Sequence, residues 1–462
     1  MSNPKPTRRS LFAAAAAPLL TRTNPNDIRI LDATAEEEYY SYRTPYMFGG
    51  HVVDQVTLVN VNVEVANRAG KRARGFGAMP MGNVWSWPSR RVDPDLTLDA
   101  MSALSAGICR ITADCKEYGH PIELNRLLEP EWLRAAQRLN YAEPIPKLCV
   151  LVTASPFDAA LHDAYGKLHG LSAYQTYGRE FLAEDLARYL NADFKGLYLD
   201  QFVNPKPAPR LAVFHTVGAS DPLFPNQIQF QPRDGLPVTL GEWIVRDGLT
   251  HFKIKLNGGD PAGDRDRILA VHAVAGAVRG ARYSLDFNER CPSASALVDI
   301  LNEVRAAAPE CFERLVYVEQ PTKRDLAADR QNVMHDAAKL CPVVIDESLT
   351  GLDMLLLARE MGYTGIALKA CKGQSQAMLM AAAGQHYKMF LTVQDLTCPG
   401  AALIHSAGIA AHVPGVAGIE ANARQYVPAA NRGWAARFPG IFTIRGGVMD
   451  TSSLTGPGLG AV

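Results

Sequence analysis

The chain has 462 residues, 47% of them apolar and 20% charged, which is enough for a sizeable core and too much for one small domain. Lysine plus arginine and aspartate plus glutamate each number 47, so the formal charge is zero and no global field draws in nucleic acid or anionic lipid. No apolar run reaches the roughly 18 residues a membrane-spanning helix needs, and the eight cysteines show neither Cys-x-x-Cys pairs nor zinc-site spacing, so they read as buried thiols.

Thr7-Arg8-Arg9-Ser10-Leu11-Phe12 leads into an Ala-rich apolar stretch over residues 11–20, the layout of a twin-arginine export signal. Residues 1–44 are therefore expected to be signal and flexible leader, and the protein periplasmic or exported, with the cytoplasm as the alternative. Residues 52–65 alternate apolar and polar side chains, the period of a half-exposed strand. Helical spacing follows over 96–115, 131–139 and 157–167, so residues 45–209 read as an α+β domain ending in the Pro-rich linker Asn204-Pro205-Lys206-Pro207-Ala208-Pro209.

After Arg210 the texture changes to short apolar runs separated by helical segments. Strands are expected at 211–217, 252–256, 283–287, 315–318, 343–345, 365–368, 389–393 and 416–419, with helices at 264–279, 297–307, 326–340, 376–384 and 401–411. Eight strands alternating with helices argue for a (β/α) barrel over 210–425, with a doubly wound sheet as the alternative. Residues 426–462 are expected to return to the first domain.

The barrel is favoured by what ends its strands: Lys253 and Lys255, then Asp286, Glu319, Asp346 and Lys369, each about one strand-plus-helix unit from the last. In a barrel those ends share the carboxyl face, where ligand chemistry occurs. Side chains alternate along a strand, so Lys253 and Lys255 share a face, as do Asp286 and Asn288. Three carboxylates in one mouth call for a hard divalent cation, with Mg2+ the first choice. Lys255 and Lys369 then flank that cation, a geometry for moving protons, and the like charge of Lys253 favours the neutral amine a base requires. Removing the proton α to a substrate carboxylate forms an enediolate whose charge a cation can stabilise. Lys372 reads as a supporting charge on a more exposed side of its strand end.

The ordered motifs Lys253-Ile254-Lys255, Leu285-Asp286-Phe287-Asn288, Val318-Glu319-Gln320-Pro321, Ile345-Asp346-Glu347-Ser348 and Leu368-Lys369-Ala370-Cys371-Lys372-Gly373 resemble the enolase superfamily, in its muconate lactonizing enzyme subgroup. The resemblance implies an α/β architecture: a (β/α)7β TIM-like barrel beneath an N-terminal α+β capping domain. It implies magnesium on Asp286, Glu319 and Asp346, acid/base chemistry by Lys255 and Lys369, and assistance from Lys253. Three departures stand out: Gly373-Gln374-Ser375 replaces a usual Gly-Gly, Gly77-Ala78 replaces Gly-Glu, and Val393 leads to Gln394-Asp395 where a His/Asp dyad would need histidine.

Asn288, Asp395, Glu420 and Asn422 are candidate substrate contacts at the mouth, and Tyr46, Phe48 and Trp85 candidate covering residues from the cap. The expected partner is a small-molecule carboxylate, and the chain is expected to form homo-oligomers. Racemisation or epimerisation of an amino-acid derivative or dipeptide is the first expectation. Syn-elimination or cycloisomerisation is the alternative within enzymes, and a noncatalytic metal-binding barrel the alternative outside them.

Overall fold

The computed structural model describes residues 23–48 and 51–461, with side chains left undescribed at residues 47, 48 and 51. The twin-arginine-like segment lies outside the described residues. The cap begins with an antiparallel sheet of β1 (Ile28–Phe48), β2 (His51–Asn67) and β3 (Arg72–Pro80). Residues 28–44 are thus strand rather than leader, because β1 pairs with β2 from Ile28↔Asn67 out to Phe48↔His51. The alternation seen in the sequence decides which face is covered: Val59, Val61, Val63 and Val65 are buried, while Asn62 is exposed.

Against that face lies the helix Lys147–His169, buried along nearly its whole length. Gly75 and Gly77 on β3 permit the contact. A Cβ on Gly75 would stand 2.1 Å from Ala160 O, and one on Gly77 2.0 Å from Pro156 O. Helices Pro94–Asp114 and Pro121–Arg138 complete the cap, each entered through a side-chain cap (Asp93, His120) and a proline in its first turn.

The second domain is a closed barrel of eight parallel strands: β4 (Arg210–Val217), β5 (His251–Lys255), β6 (Arg282–Asp286), β7 (Leu315–Glu319), β8 (Val343–Ile345), β9 (Gly365–Leu368), β10 (Phe390–Val393) and β11 (Val416–Glu420). Closure comes from β11 pairing with β4 through Ile419↔Val213 and Glu420↔Phe214, which removes the doubly wound alternative. Helices connect successive strands, giving the (β/α)7β order. Of the expected helix at 326–340, only His335–Leu340 forms. Upstream, the side chains of Asp325, Asp329 and Asn332 take local hydrogen bonds that hold the backbone in turns. Phe214, Tyr317, Val344 and Ala367 pack the barrel interior below the mouth.

The C-terminal segment adds β12 (Val448–Asp450), antiparallel to β4, and then meets the cap helix at Leu459. Asp163, on the long cap helix, accepts from Phe76 N at 2.9 Å and Leu459 N at 2.8 Å and pairs with Lys167 at 2.7 Å, joining sheet, helix and C-terminus. All eight cysteines are free thiols, and no helix among the described residues is long and apolar enough to cross a membrane.

Cap and barrel are joined by buried polar bonds. Asp158 accepts from Ser375 N and Ser375 Oγ, both at 2.7 Å, and Ser375 Oγ lies 2.9 Å from His162 Nε2. Burial, only partly offset by the Ser375 bonds, pushes the Asp158 carboxyl up from 3.8 to about 6. The folded state therefore holds this proton more tightly than the unfolded chain. The stability it confers falls as pH rises from about 4 to about 6, by up to about 3 kcal/mol. Urea unfolding of wild type and Asp158→Asn across that range should show the variant gaining on the wild type as pH rises; parallel profiles would count against the assignment.

Candidate active site

Sheet register builds the mouth. Lys255 pairs with Asp286, and Asp286 with Glu319, so the last residues of β5, β6 and β7 form one lateral row. Asp346 follows directly on β8 and Lys369 on β9. Every one of these side chains is buried, Lys255 the least so at 7% exposure.

Lys253 starts one layer lower and reaches up the barrel axis. Its Nζ donates to Glu319 Oε1 at 2.9 Å, Gln394 Oε1 at 2.6 Å and Glu420 Oε2 at 2.9 Å, and lies 3.1 Å from Asp286 Oδ2. Lys255 Nζ donates to Asp286 Oδ2 at 2.5 Å. On the far side Lys369 Nζ pairs with Asp346 Oδ2 at 2.9 Å, and Lys372 Nζ with Asp346 Oδ1 at 3.1 Å. Lys372 is not on an exposed side: it is 3% exposed and also donates to the Asp346 carbonyl, because the turn after β9 folds it back into the mouth.

The cap closes over these groups. Trp85, in the short helix Asn83–Ser86, lays its ring 4.4 Å from Lys369 Nζ and donates its Nε1–H to Glu347 Oε1 at 2.9 Å. Arg324, from the barrel, binds the Trp85 carbonyl at 3.0 Å and pairs with Glu289 at 2.5 Å, fixing the height of that helix. Tyr46 stacks against Tyr426 with centroids 4.6 Å apart. Beneath lies a cavity of about 180 Å3, which both Lys255 and Lys369 line, together with Asn288, Asp395, Glu420 and Asn422.

Electrostatics explains the pairing. Burial opposes ionisation of Asp286, but Lys255 and Lys253 overcome it and hold the carboxyl at about 2. Burial likewise disfavours the Asp346 carboxylate and the Lys369 ammonium, yet their mutual attraction lowers the first and raises the second. Lys253 is raised in the same way by Glu319, Glu420 and Asp286 against its own burial. The nearest charges to Lys253 and Lys369 are carboxylates, Asp286, Glu319 and Glu420 for the first and Asp346 for the second. Burial and the nearby Asp286 push Glu319 well up, and burial with Asp346 pushes Glu347 to about 8.

These shifts bear on a cation. Asp286, Glu319, Asp346, Glu347, Asp395 and Glu420 are six buried carboxyl groups, set against four buried ammonium groups on Lys253, Lys255, Lys369 and Lys372. With all six ionised, two negative charges would be left over, the charge of one divalent ion. Glu347 Oε2 and Asn422 Oδ1 are buried without hydrogen-bond partners, and all the donors are hard oxygens. The residues fit a divalent cation in charge and chemistry. They do not form a ready cage, since among the described residues no three acidic, histidine or cysteine side chains converge as a metal cluster. The lysines occupy the carboxylates instead.

Comparison with known proteins bears on the fold that carries these residues. Residues 238–462 match the family model for the enolase C-terminal domain-like fold. Over those residues the chain is similar to enolase C-terminal domains. No curated protein matches. Among solved structures, the L-Ala-D/L-Glu epimerase from Bacillus subtilis is similar over 94% of this chain and 99% of its own, at 17% identity and a TM-score of 0.62. The dipeptide epimerase from Enterococcus faecalis V583, complexed with Mg and L-Leu-L-Tyr, is similar over 94% and 99% at 15% identity and 0.60. Muconate lactonizing enzyme from Pseudomonas fluorescens, complexed with muconolactone, is similar over 94% and 96% at 16% identity and 0.60. At these identities the likeness carries the superfamily fold.

The structure refines several expected substrate contacts. Glu420 is taken up by Lys253 and by Thr216 Oγ1 at 2.6 Å. Asp395 accepts from Leu396 N at 2.8 Å, Cys398 N at 2.7 Å and Asn422 N at 2.8 Å, so it organises the loop after β10 as well as lining the cavity. The Phe48 side chain lies outside what is described. Gln394 stands in place of a histidine and spaces the axis, donating to Tyr317 OH at 2.5 Å. Sequence reasoning missed Glu347 and the buried role of Lys372. The first follows Asp346 directly, and the second lies three residues beyond Lys369, one turn on.

Lys253 neutralises three buried carboxylates at once. Lys253→Met should lower unfolding stability by about 3–5 kcal/mol, the usual effect of stripping a partner from a buried charge. Adding Glu420→Gln should recover part of that loss in the same denaturant titration; a neutral Lys253→Met would show the network to be unimportant for folding.

Proposed function

We propose that this enzyme abstracts the proton α to a substrate carboxylate and returns it to the opposite face, acting as a racemase or epimerase of an amino-acid derivative or dipeptide. The observation that carries this reading is that Lys255 and Lys369 line one cavity from β5 and from the end of β9, with the strand ends bearing Asp286, Glu319 and Asp346 between them.

A proton beside a carboxylate is weakly acidic, so its loss needs the enediolate charge to be stabilised as it forms. A magnesium ion held by Asp286, Glu319 and Asp346 would supply that stabilisation as a Lewis acid. One lysine, as the amine, takes the proton while the C–H electron pair moves into the enediolate. The other lysine, as ammonium, gives its proton to the opposite face. Trp85 and the cap sheet exclude water meanwhile, and Lys253 keeps Glu319 and Glu420 from repelling the reacting carboxylate. The two lysines then exchange protons with solvent to restore the starting state.

Two measurements test this. In 2H2O with magnesium present, a panel of α-substituted carboxylates should yield a compound that exchanges its α-proton and inverts. Lys255→Ala and Lys369→Ala should each abolish exchange from one face, and normal exchange in both variants would remove the base assignment. Loss of a substituent or ring closure in place of inversion would point to elimination or cycloisomerisation through the same enediolate.

Magnesium at about 100 times its Kd should raise unfolding stability by about 2.7 kcal/mol. Asp346→Asn should reduce that gain sharply. A wild type indifferent to magnesium would contradict the cation assignment.

A further inference from the structure

The charges lining the reaction cavity are lopsided. Among the described residues that line it, the only basic side chains are Lys255 and Lys369, whereas Asp54, Asp95, Asp346, Asp395 and Glu420 are all acidic. In the reading proposed above, both lysines are committed to proton transfer and one substrate carboxylate is committed to the reacting centre. A second carboxylate elsewhere on the substrate would find no cation to receive it.

The acids divide by depth. Asp395 and Glu420, at the floor, have their oxygens filled by backbone N–H groups, Thr216 and Lys253, and so offer little to a substrate ammonium either. Asp54, on β2, and Asp95, in the first turn of Pro94–Asp114, are exposed at the rim on the cap side. Much of the remaining wall is apolar, with Val53, Val56, Met81, Trp85, Leu98 and Leu396 contributing beside the uncharged polar Gln55, Thr57, Asn83 and Thr397. An arm leaving the reacting carbon towards the cap therefore crosses a largely apolar wall and meets negative charge at the exit.

We propose, resting on the enediolate reading, that the substrate is a monocarboxylate whose remaining arm is uncharged and apolar, and that Asp54 and Asp95 discriminate against acids carrying a second carboxylate. Specificity of this kind works by repulsion at least as much as by attraction, since an unpaired like charge is rejected more strongly than a methylene is recognised.

The test compares three matched amides of alanine with the full chain and magnesium in 2H2O: N-isovaleryl-alanine, N-succinyl-alanine and N-(4-aminobutanoyl)-alanine. Proton NMR follows loss of the α-proton signal. The neutral arm should exceed the anionic arm in kcat/KM by about 10-fold or more, the scale expected of like-charge rejection. The double variant Asp54→Asn/Asp95→Asn should narrow that ratio by raising the rate with N-succinyl-alanine.

Equal or faster exchange with N-succinyl-alanine would overturn the inference while leaving the enediolate reading intact. A cationic arm about 10-fold better than the neutral one would overturn the apolar assignment in favour of charge attraction at the rim. A large ratio unmoved by the double variant would overturn the role given to Asp54 and Asp95. Absence of exchange from all three compounds, and from every other carboxylate in the panel, would overturn the enediolate reading and this inference with it.

Discussion

Charge compensation in a dry space governs this molecule. Parallel strands in register deliver Lys255, Asp286 and Glu319 side by side, and the next two strands bring Asp346 and Lys369 to the same mouth. Leaving any one of them unpaired would cost several kcal/mol in a water-poor interior. Lys253 is the group that makes the arrangement stable, since it alone touches carboxylates from three different strands, β6, β7 and β11. The excess of acid over ammonium that remains is met by retained protons, and Glu319 and Glu347 are the groups whose titration moves up accordingly.

Such a site requires a roof, and the cap is built to supply one without slack. Glycines on β3 let the sheet sit directly on the helix Lys147–His169, and that helix meets the barrel through Asp158 and Ser375. Trp85 is consequently held from two sides, by Arg324 on its carbonyl and Glu347 on its indole nitrogen. Its ring face then shields Lys369 while adding attraction for the ammonium. Water exclusion and lysine placement are in this way one structural feature. A displaced cap would wet the cavity and loosen Lys369 together.

Much of this was legible in the sequence because its signals are local. Short apolar runs at regular spacing marked the eight strands, and the charged residue ending each central run marked the mouth. The boundary at residue 44 failed because β1 carries Glu36, Glu37, Glu38 and several tyrosines, a polar composition that reads as linker; pairing with β2, which the linear sequence does not display, makes it strand. The helix expected from residue 326 failed for the opposite reason, since apolar spacing there was overridden by Asp and Asn side chains bonding to nearby groups. The lysine environment was misjudged because sequence places Lys253 next to Lys255, whereas the fold places each next to carboxylates from other strands. Proximity along the chain is a poor guide to the field at a side-chain terminus.

That last difference bears on how the site works. Asp286 and Asp346 are at once the donors best suited to a hard cation and the partners that fix Lys255 and Lys369 as a resting pair of ion pairs. The two demands compete for the same oxygens. In the mechanism proposed above, meeting the charge of Asp286 and Asp346 in another way would weaken the attraction that holds each lysine on its carboxylate, beside the cavity both line. Proton transfer at these amines and neutralisation of the acids would in that mechanism be coupled through those ion pairs. The buried network holds both lysines paired with carboxylates from neighbouring strands.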